Sequence, residues 1–185
     1  MNFKRIWLAL PALLLPYVAL LGLFTLFLST KTAFFETVME SVFHGDGIFL
    51  ILVVVLYCLI AMALSIVGCI VALCKKWDAL SMAKFAMIMK LVQIPAYLVI
   101  FVLSVALVLA VITIPLAIIL YYVNCVSLFL SGIWVVVAAI NSLREGATEA
   151  KDVVWVMILQ AVFCADVVAS IIFYVNLKNK KKRME

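Results

Sequence analysis

The chain has 185 residues, 70% hydrophobic and 12% charged, with a formal net charge of +5. Soluble domains charge about a quarter of their residues, so this composition excludes an ordinary water-soluble fold and leaves one membrane domain. The positive balance does not point to nucleic acid. Its lysines and arginines sit at the ends of apolar runs and in the tail, where they set topology and attract anionic lipid head groups.

Lys4 and Arg5 precede an apolar run over residues 6–28. The apolar core of a signal peptide is about 7–15 residues and is followed by small cleavage-site residues. This run is longer and lacks such a site, so it reads as an uncleaved first span, bent at Pro11 and Pro16. Over residues 32–44, Phe34, Phe35, Val38, Met39, Val42 and Phe43 recur at helical spacing, with Glu36, Thr37, Glu40 and Ser41 between them. That pattern predicts a short amphipathic helix lying on the membrane surface. Gly45-Asp46-Gly47 ends it, and His44 beside Asp46 reads as part of a polar turn rather than a metal or proton site.

Residues 48–74 form the second span. Ala61, Ser65, Gly68 and Ala72 share one face, a stripe of small residues that lets a neighbouring helix approach closely inside the bundle. Lys75, Lys76 and Trp77 close the span at the interface. A helical lead-in follows, with Asp78 or Ser81 near its start and with Lys84 and Lys90 expected to lift their amines to the head groups.

From Leu91 to Leu143 no side chain is charged. A span needs roughly 20 apolar residues, so this stretch is long enough to cross twice, over 88–112 and 116–140, with Thr113-Ile114-Pro115 as the turn. Pro95 predicts a kink, near which Gln93 and Tyr97 satisfy freed backbone groups or line a cavity. Asn124, Ser127 and Ser131 make a polar stripe that must face protein or water. After a polar loop, residues 153–176 read as a fifth span carrying Asp166 near its middle. The Val, Ile and Phe residues around it offset an insertion cost of roughly 2.5–3.5 kcal/mol. Ala161, Ala165 and Ala169 mark a packing face, and residues 177–185 are a basic tail.

The expected fold is therefore all-α: a polytopic bundle of five spans in a single domain over 1–185, with the amphipathic helix between spans one and two. With the N-terminus in the cytoplasm, eight of the 14 Lys and Arg residues fall inside and six outside, five of those six in the tail. The tail thus disagrees with everything upstream. Either it is translocated, or Leu91–Leu143 crosses once with a re-entrant half, or the last segment fails to span; five full spans is the preferred arrangement.

Lys76-Trp77-Asp78-Ala79-Leu80-Ser81, residues 90–97 (KLVQIPAY), Asn124-Cys125 with Leu-Ser-Gly at 130–132, and residues 163–169 (FCADVVA) resemble a family of small integral membrane proteins of Gram-positive bacteria (Firmicutes), a domain of unknown function. The resemblance covers roughly residues 77–177. It implies a multi-pass protein of the bacterial plasma membrane and lends no activity or ligand. Members of that family often carry an aspartate where this chain has Asn124, so the resemblance also implies that one intramembrane charge is missing here.

Two function classes follow. One is an accessory or assembly protein that works by helix–helix contact, its partners being membrane lipids and a larger membrane complex. The other is a small-solute or ion transporter or channel component, with Asp166 as the polar centre and Gln93, Tyr97, Asn124, Ser127 and Ser131 as companions. An enzyme is not expected, since no H-E-x-x-H, G-x-S-x-G or P-loop pattern occurs. The five cysteines lack metal-site spacing, and no cofactor is expected.

Overall fold

Lipid offers backbone amides no hydrogen-bond partners, so apolar segments must satisfy themselves as helices. The computed structural model describes residues 7–109, 113–160 and 165–184. Among them the elements are α1 (Leu10–Leu28), α2 (Ala33–Phe43), α3 (Gly47–Cys74), α4 (Ala79–Leu109), α5 (Ile114–Arg144), α6 (Ala150–Leu159) and α7 (Ala165–Met184), with no strand among the described residues. Four of these helices, α1, α3, α4 and α5, are long and apolar enough to cross a membrane.

The helix ends follow local chemistry. Pro11 stands in the first turn of α1, where its missing donor costs nothing; Pro16 lies inside that helix. Asp46 accepts a hydrogen bond from Ile48 N (2.8 Å) and so caps α3. At the start of α4, Asp78 Oδ2 accepts from Ser81 N (2.8 Å), and Glu145 Oε1 accepts from Ala79 N (2.9 Å). The expected lead-in to the third span is thus the first part of α4 itself, one helix with no break between Ala79 and Leu109. Residues 110–112, the end expected for that span, lie outside the described residues.

The small-residue stripe of α3 faces the bundle interior. Ala61, Ser65 and Ala72 are fully buried, and Trp134 of α5 donates its indole N–H to Ser65 Oγ at 2.9 Å. A methyl group on Gly68 would come within 2.9 Å of that indole ring, so glycine makes room for it. Phe85 of α4 meets the same ring edge-on at 5.8 Å.

The segment expected as a fifth span is divided. α6 ends at Leu159, α7 begins at Ala165, and the two run antiparallel. Lys180 pairs with Asp152 at 3.2 Å near one end, and Gln160 Nε2 approaches Ser170 Oγ at 3.4 Å near the other. At 1.5 Å per residue, the ten residues of α6 reach about 15 Å, half of a hydrocarbon core. Residues 161–164, and with them Ala161 and Cys164, lie outside the described residues; of the expected alanine face Ala169 is buried and Ala165 half-buried.

This hairpin returns the tail to the end from which it left. Lys181 forms ion pairs with Asp78 at the start of α4 and with Glu145 at the end of α5 (3.7 Å to the latter). Arg144 Nη1 donates to Leu73 O (2.9 Å), tying the ends of α5 and α3 together. Leu8, just before α1, packs against Gly68 in the last third of α3. The expected separation of the basic tail from the other cations is therefore corrected. Lys180 and Lys181 stand at the same end of the bundle as Lys75, Lys76, Arg144 and Lys151, and Lys31 is at the other.

Candidate functional site

α4 turns one face to the interior, carrying Ala83, Ala86, Lys90, Gln93, Ala96, Tyr97 and Ile100 in turn. Three polar residues on this face, Lys90, Gln93 and Tyr97, are spaced by three and four, so they stack along one line. Lys90 is eleven residues past the start of α4, about 16 Å along its axis and well inside a hydrocarbon layer. Its side chain is 0% exposed and forms an ion pair with Asp166 of α7, whose side chain is 2% exposed. Here the structure corrects the sequence reading. Lys84, one and a half turns earlier, is exposed and free to reach outward, whereas Lys90 has gone inward to a carboxylate. The reason is electrostatic: a charge deep in a low-dielectric medium must be paired, and Asp166 is the partner the fold brings there.

The acid is held from its own side too. Ser170 donates to the Asp166 carbonyl at 2.6 Å, and Gln160 Nε2 lies 3.5 Å from the same oxygen. Gln160 and Ser170 were not among the residues expected at the site, and Lys90 was expected only at the head groups. Lys90 had a signal, since it shares the face of Gln93 and Tyr97. Ser170 had a weaker one, four residues beyond Asp166.

One turn further along α4, Gln93 Nε2 donates to Ala12 O at 2.9 Å. Ala12 O is the carbonyl that Pro16, four residues on, leaves without a helical donor. Gln93 therefore repairs a break in α1, rather than the break made by its own neighbour Pro95. Tyr17 of α1 donates to Val92 O of α4, one residue past the Leu91 carbonyl that Pro95 leaves without a helical donor, and Tyr57 of α3 donates to Pro11 O at 3.0 Å. Gln93 Oε1 accepts from the Tyr97 hydroxyl (2.9 Å), and Ser127 Oγ of α5 lies 3.1 Å from that hydroxyl and 3.3 Å from Gln93 Nε2.

Of the six residues expected to cluster, Gln93, Tyr97 and Ser127 share hydrogen bonds. Asp166 is joined to Lys90, one turn away on α4. Ser131 is buried, donates to Leu128 O of its own helix at 3.0 Å and stands beside the Tyr97 hydroxyl with Ser127. Asn124 stands apart. It lines a cleft of about 720 Å³ between α4 and α5 with Ser104 and Tyr121, and its Oδ1 has no hydrogen-bond partner.

At the loop end the ions are half-exposed and titrate accordingly. Burial pushes the Asp78 carboxyl up, but the hydrogen bonds from Lys181 and Ser81 outweigh it and hold the group below its ordinary 3.8. The hydrogen bond to Asp78 raises Lys181 above its ordinary 10.5, against a smaller opposing effect of burial and with help from Glu145. Among the described residues, no three metal-ligating side chains gather in one place. No protein-family model, curated protein or solved structure matches the chain.

Proposed function

We propose that this is a small accessory or assembly protein that acts through helix–helix contacts within a membrane, not an enzyme. The observation that carries this reading is the use made of the intramembrane polar groups. Lys90 is occupied by Asp166, and Gln93 by the carbonyl that Pro16 frees, so the polar residues join α4 to α7 and to α1. α3 and α4 meanwhile keep apolar flanks, including Leu52, Leu56, Leu59, Leu98, Phe101 and Val102, for lipid and a partner's helices. The resemblance of residues 77–177 to a Gram-positive family supports a bacterial plasma membrane as its home.

In this reading four helices cross, α6 and α7 form a re-entrant hairpin, and α2 lies on the opposite surface as the amphipathic helix. The end bearing the tail is cytoplasmic, since it gathers all the described Lys and Arg residues except Lys31 and the buried Lys90. Asn179→Cys then stays unlabelled by an impermeant thiol reagent in intact cells and reacts once they are opened.

The competing reading is transport through the Lys90–Asp166 pair, favoured by the rarity of ionisable groups at such depth. Neutralising both partners, as Lys90→Gln with Asp166→Asn, separates the two. An accessory protein keeps the neighbours that co-purify with it in mild detergent. Recovery of wild-type and double-variant protein as the same solitary species, with no partner, defeats the accessory role.

A further inference from the structure

α3 and α5 end in the same way at the same end of the bundle. In each, the last turn is closed by two crossed backbone hydrogen bonds, Trp77 N to Ala72 O (3.1 Å) with Lys76 N to Leu73 O (3.4 Å), and Ala147 N to Ser142 O with Gly146 N to Leu143 O (both 3.0 Å). This closure places one residue in the left-handed region, where glycine is the ordinary occupant. In α5 that residue is Gly146, at φ 68°; in α3 it is Lys76, at φ 45°. A lysine there adopts a conformation that L side chains avoid, and such strain marks places where the side chain itself is wanted.

The Lys76 side chain opens onto a cleft of about 590 Å³ lined by Leu73, Lys76, Trp77, Asn141, Arg144 and Glu145. Among the described residues its ammonium has no carboxylate partner, and Arg144 uses one nitrogen on Leu73 O, the carbonyl that also receives Lys76 N. Glu145, the acid of the cleft, is already engaged by Ala79 N and Lys181. Asn141 is 2% exposed, and its amide nitrogen is held by Trp77 O (3.1 Å) while its Oδ1 has no hydrogen-bond partner. The cleft thus joins two cations from different helices and an indole at the height of a membrane interface.

We infer that this cleft binds a phosphate group, with Lys76 and Arg144 as its cationic ligands, and that the phosphate is that of an anionic phospholipid head group. Arg presents a planar fork to phosphate oxygens and Lys a mobile point charge, while the half-exposed Leu73 beside them offers acyl chains a surface. The inference needs only that the chain lies in a membrane, so it stands or falls apart from the accessory role.

The test is thermal unfolding of the full-length protein in uncharged detergent micelles, titrated with phosphatidylglycerol, phosphatidylcholine or inorganic phosphate. Phosphatidylglycerol should raise Tm saturably and phosphatidylcholine should not. Lys76→Gln should weaken the phosphatidylglycerol response about fivefold, whereas Lys84→Gln, the same charge change on an exposed lysine outside the cleft, should leave it unaltered. Lys76→Gly should do two opposite things, raising Tm without lipid because the strain is gone and weakening the lipid response because the amine is gone. Protection by inorganic phosphate alone that is lost in Lys76→Gln would keep the phosphate site and overturn the lipid source. Wild-type lipid affinity in both Lys76 variants, or an equal loss in Lys84→Gln, overturns the site itself.

Discussion

Two sets of ion pairs hold the α6–α7 hairpin, one at each depth, and they use the same kinds of side chain to different effect. Deep in the bundle, Lys90 and Asp166 are almost wholly enclosed. At the loop end, Lys180 and Lys181 meet Asp152 and Asp78 with side chains 33–45% exposed. Water screens the second set and lets each partner be solvated when the other is removed, so such pairs contribute about 0–1 kcal/mol. The first set has no such refuge. Losing one partner strands the other in a medium that cannot solvate it, a cost of about 3–5 kcal/mol even though the intact pair itself adds little. Depth, rather than the identity of the ions, decides which contact governs the hairpin.

The sharpest way to break this comparison is at Asp166. Asp166→Ala should destabilise the protein by about 3–5 kcal/mol in reversible unfolding from micelles, with Lys90→Met in the same chain recovering most of the loss. If the second substitution deepens the loss, the pair is a net source of stability and the contrast with the surface fails. Gln93→Leu comes next. It leaves Ala12 O without a donor beside Pro16 and should cost about 1–3 kcal/mol, measured in the same way.

The smallest effect is expected at the loop end. Lys181→Ala should cost less than about 1 kcal/mol, and that cost should shrink as salt is raised. Its pH dependence follows from the two titrations. Asp78 titrates lower in the folded protein than its ordinary 3.8, so its contribution is present above that value and disappears as the pH falls through the folded pKa. Lys181 titrates above its ordinary 10.5, so its contribution is present below that value and disappears as the pH rises through the folded pKa. The difference between wild type and Lys181→Ala should therefore be flat between about pH 4 and 10.5 and close at both extremes. A difference concentrated near neutrality would place the stabilisation elsewhere.

Much of the bundle was legible because hydropathy is local. The spans at 48–74 and 116–140 fall within α3 and α5, and the stripe from Ala61 to Ala72 announces a close neighbour by the size of its side chains alone. Lys90 was misread because snorkelling depends on depth and on what lies opposite. Lys84 and Lys90 are six residues apart in similar apolar surroundings, and nothing local distinguishes the outward amine from the inward one. The last segment was misread for a related reason. Its summed hydrophobicity allows a full crossing, and no glycine or proline stands between Leu159 and Ala165 to announce a reversal. The role of Gln93 was half-visible: a buried amide near a proline invites a backbone partner, but the proline it serves is 77 positions away in α1.

The sequence alone determined the solvent and the all-helical class of this protein, because burying uncharged runs of such length in lipid depends only on composition and on the backbone's need to satisfy itself. Tertiary structure decided where the charges go. Whether Lys90 faces head groups or Asp166, and whether the tail leaves at the far end or returns, depends on which distant side chain arrives opposite. Electrostatic energy in a low-dielectric interior is a property of such pairs, and pairs exist only once the helices have docked.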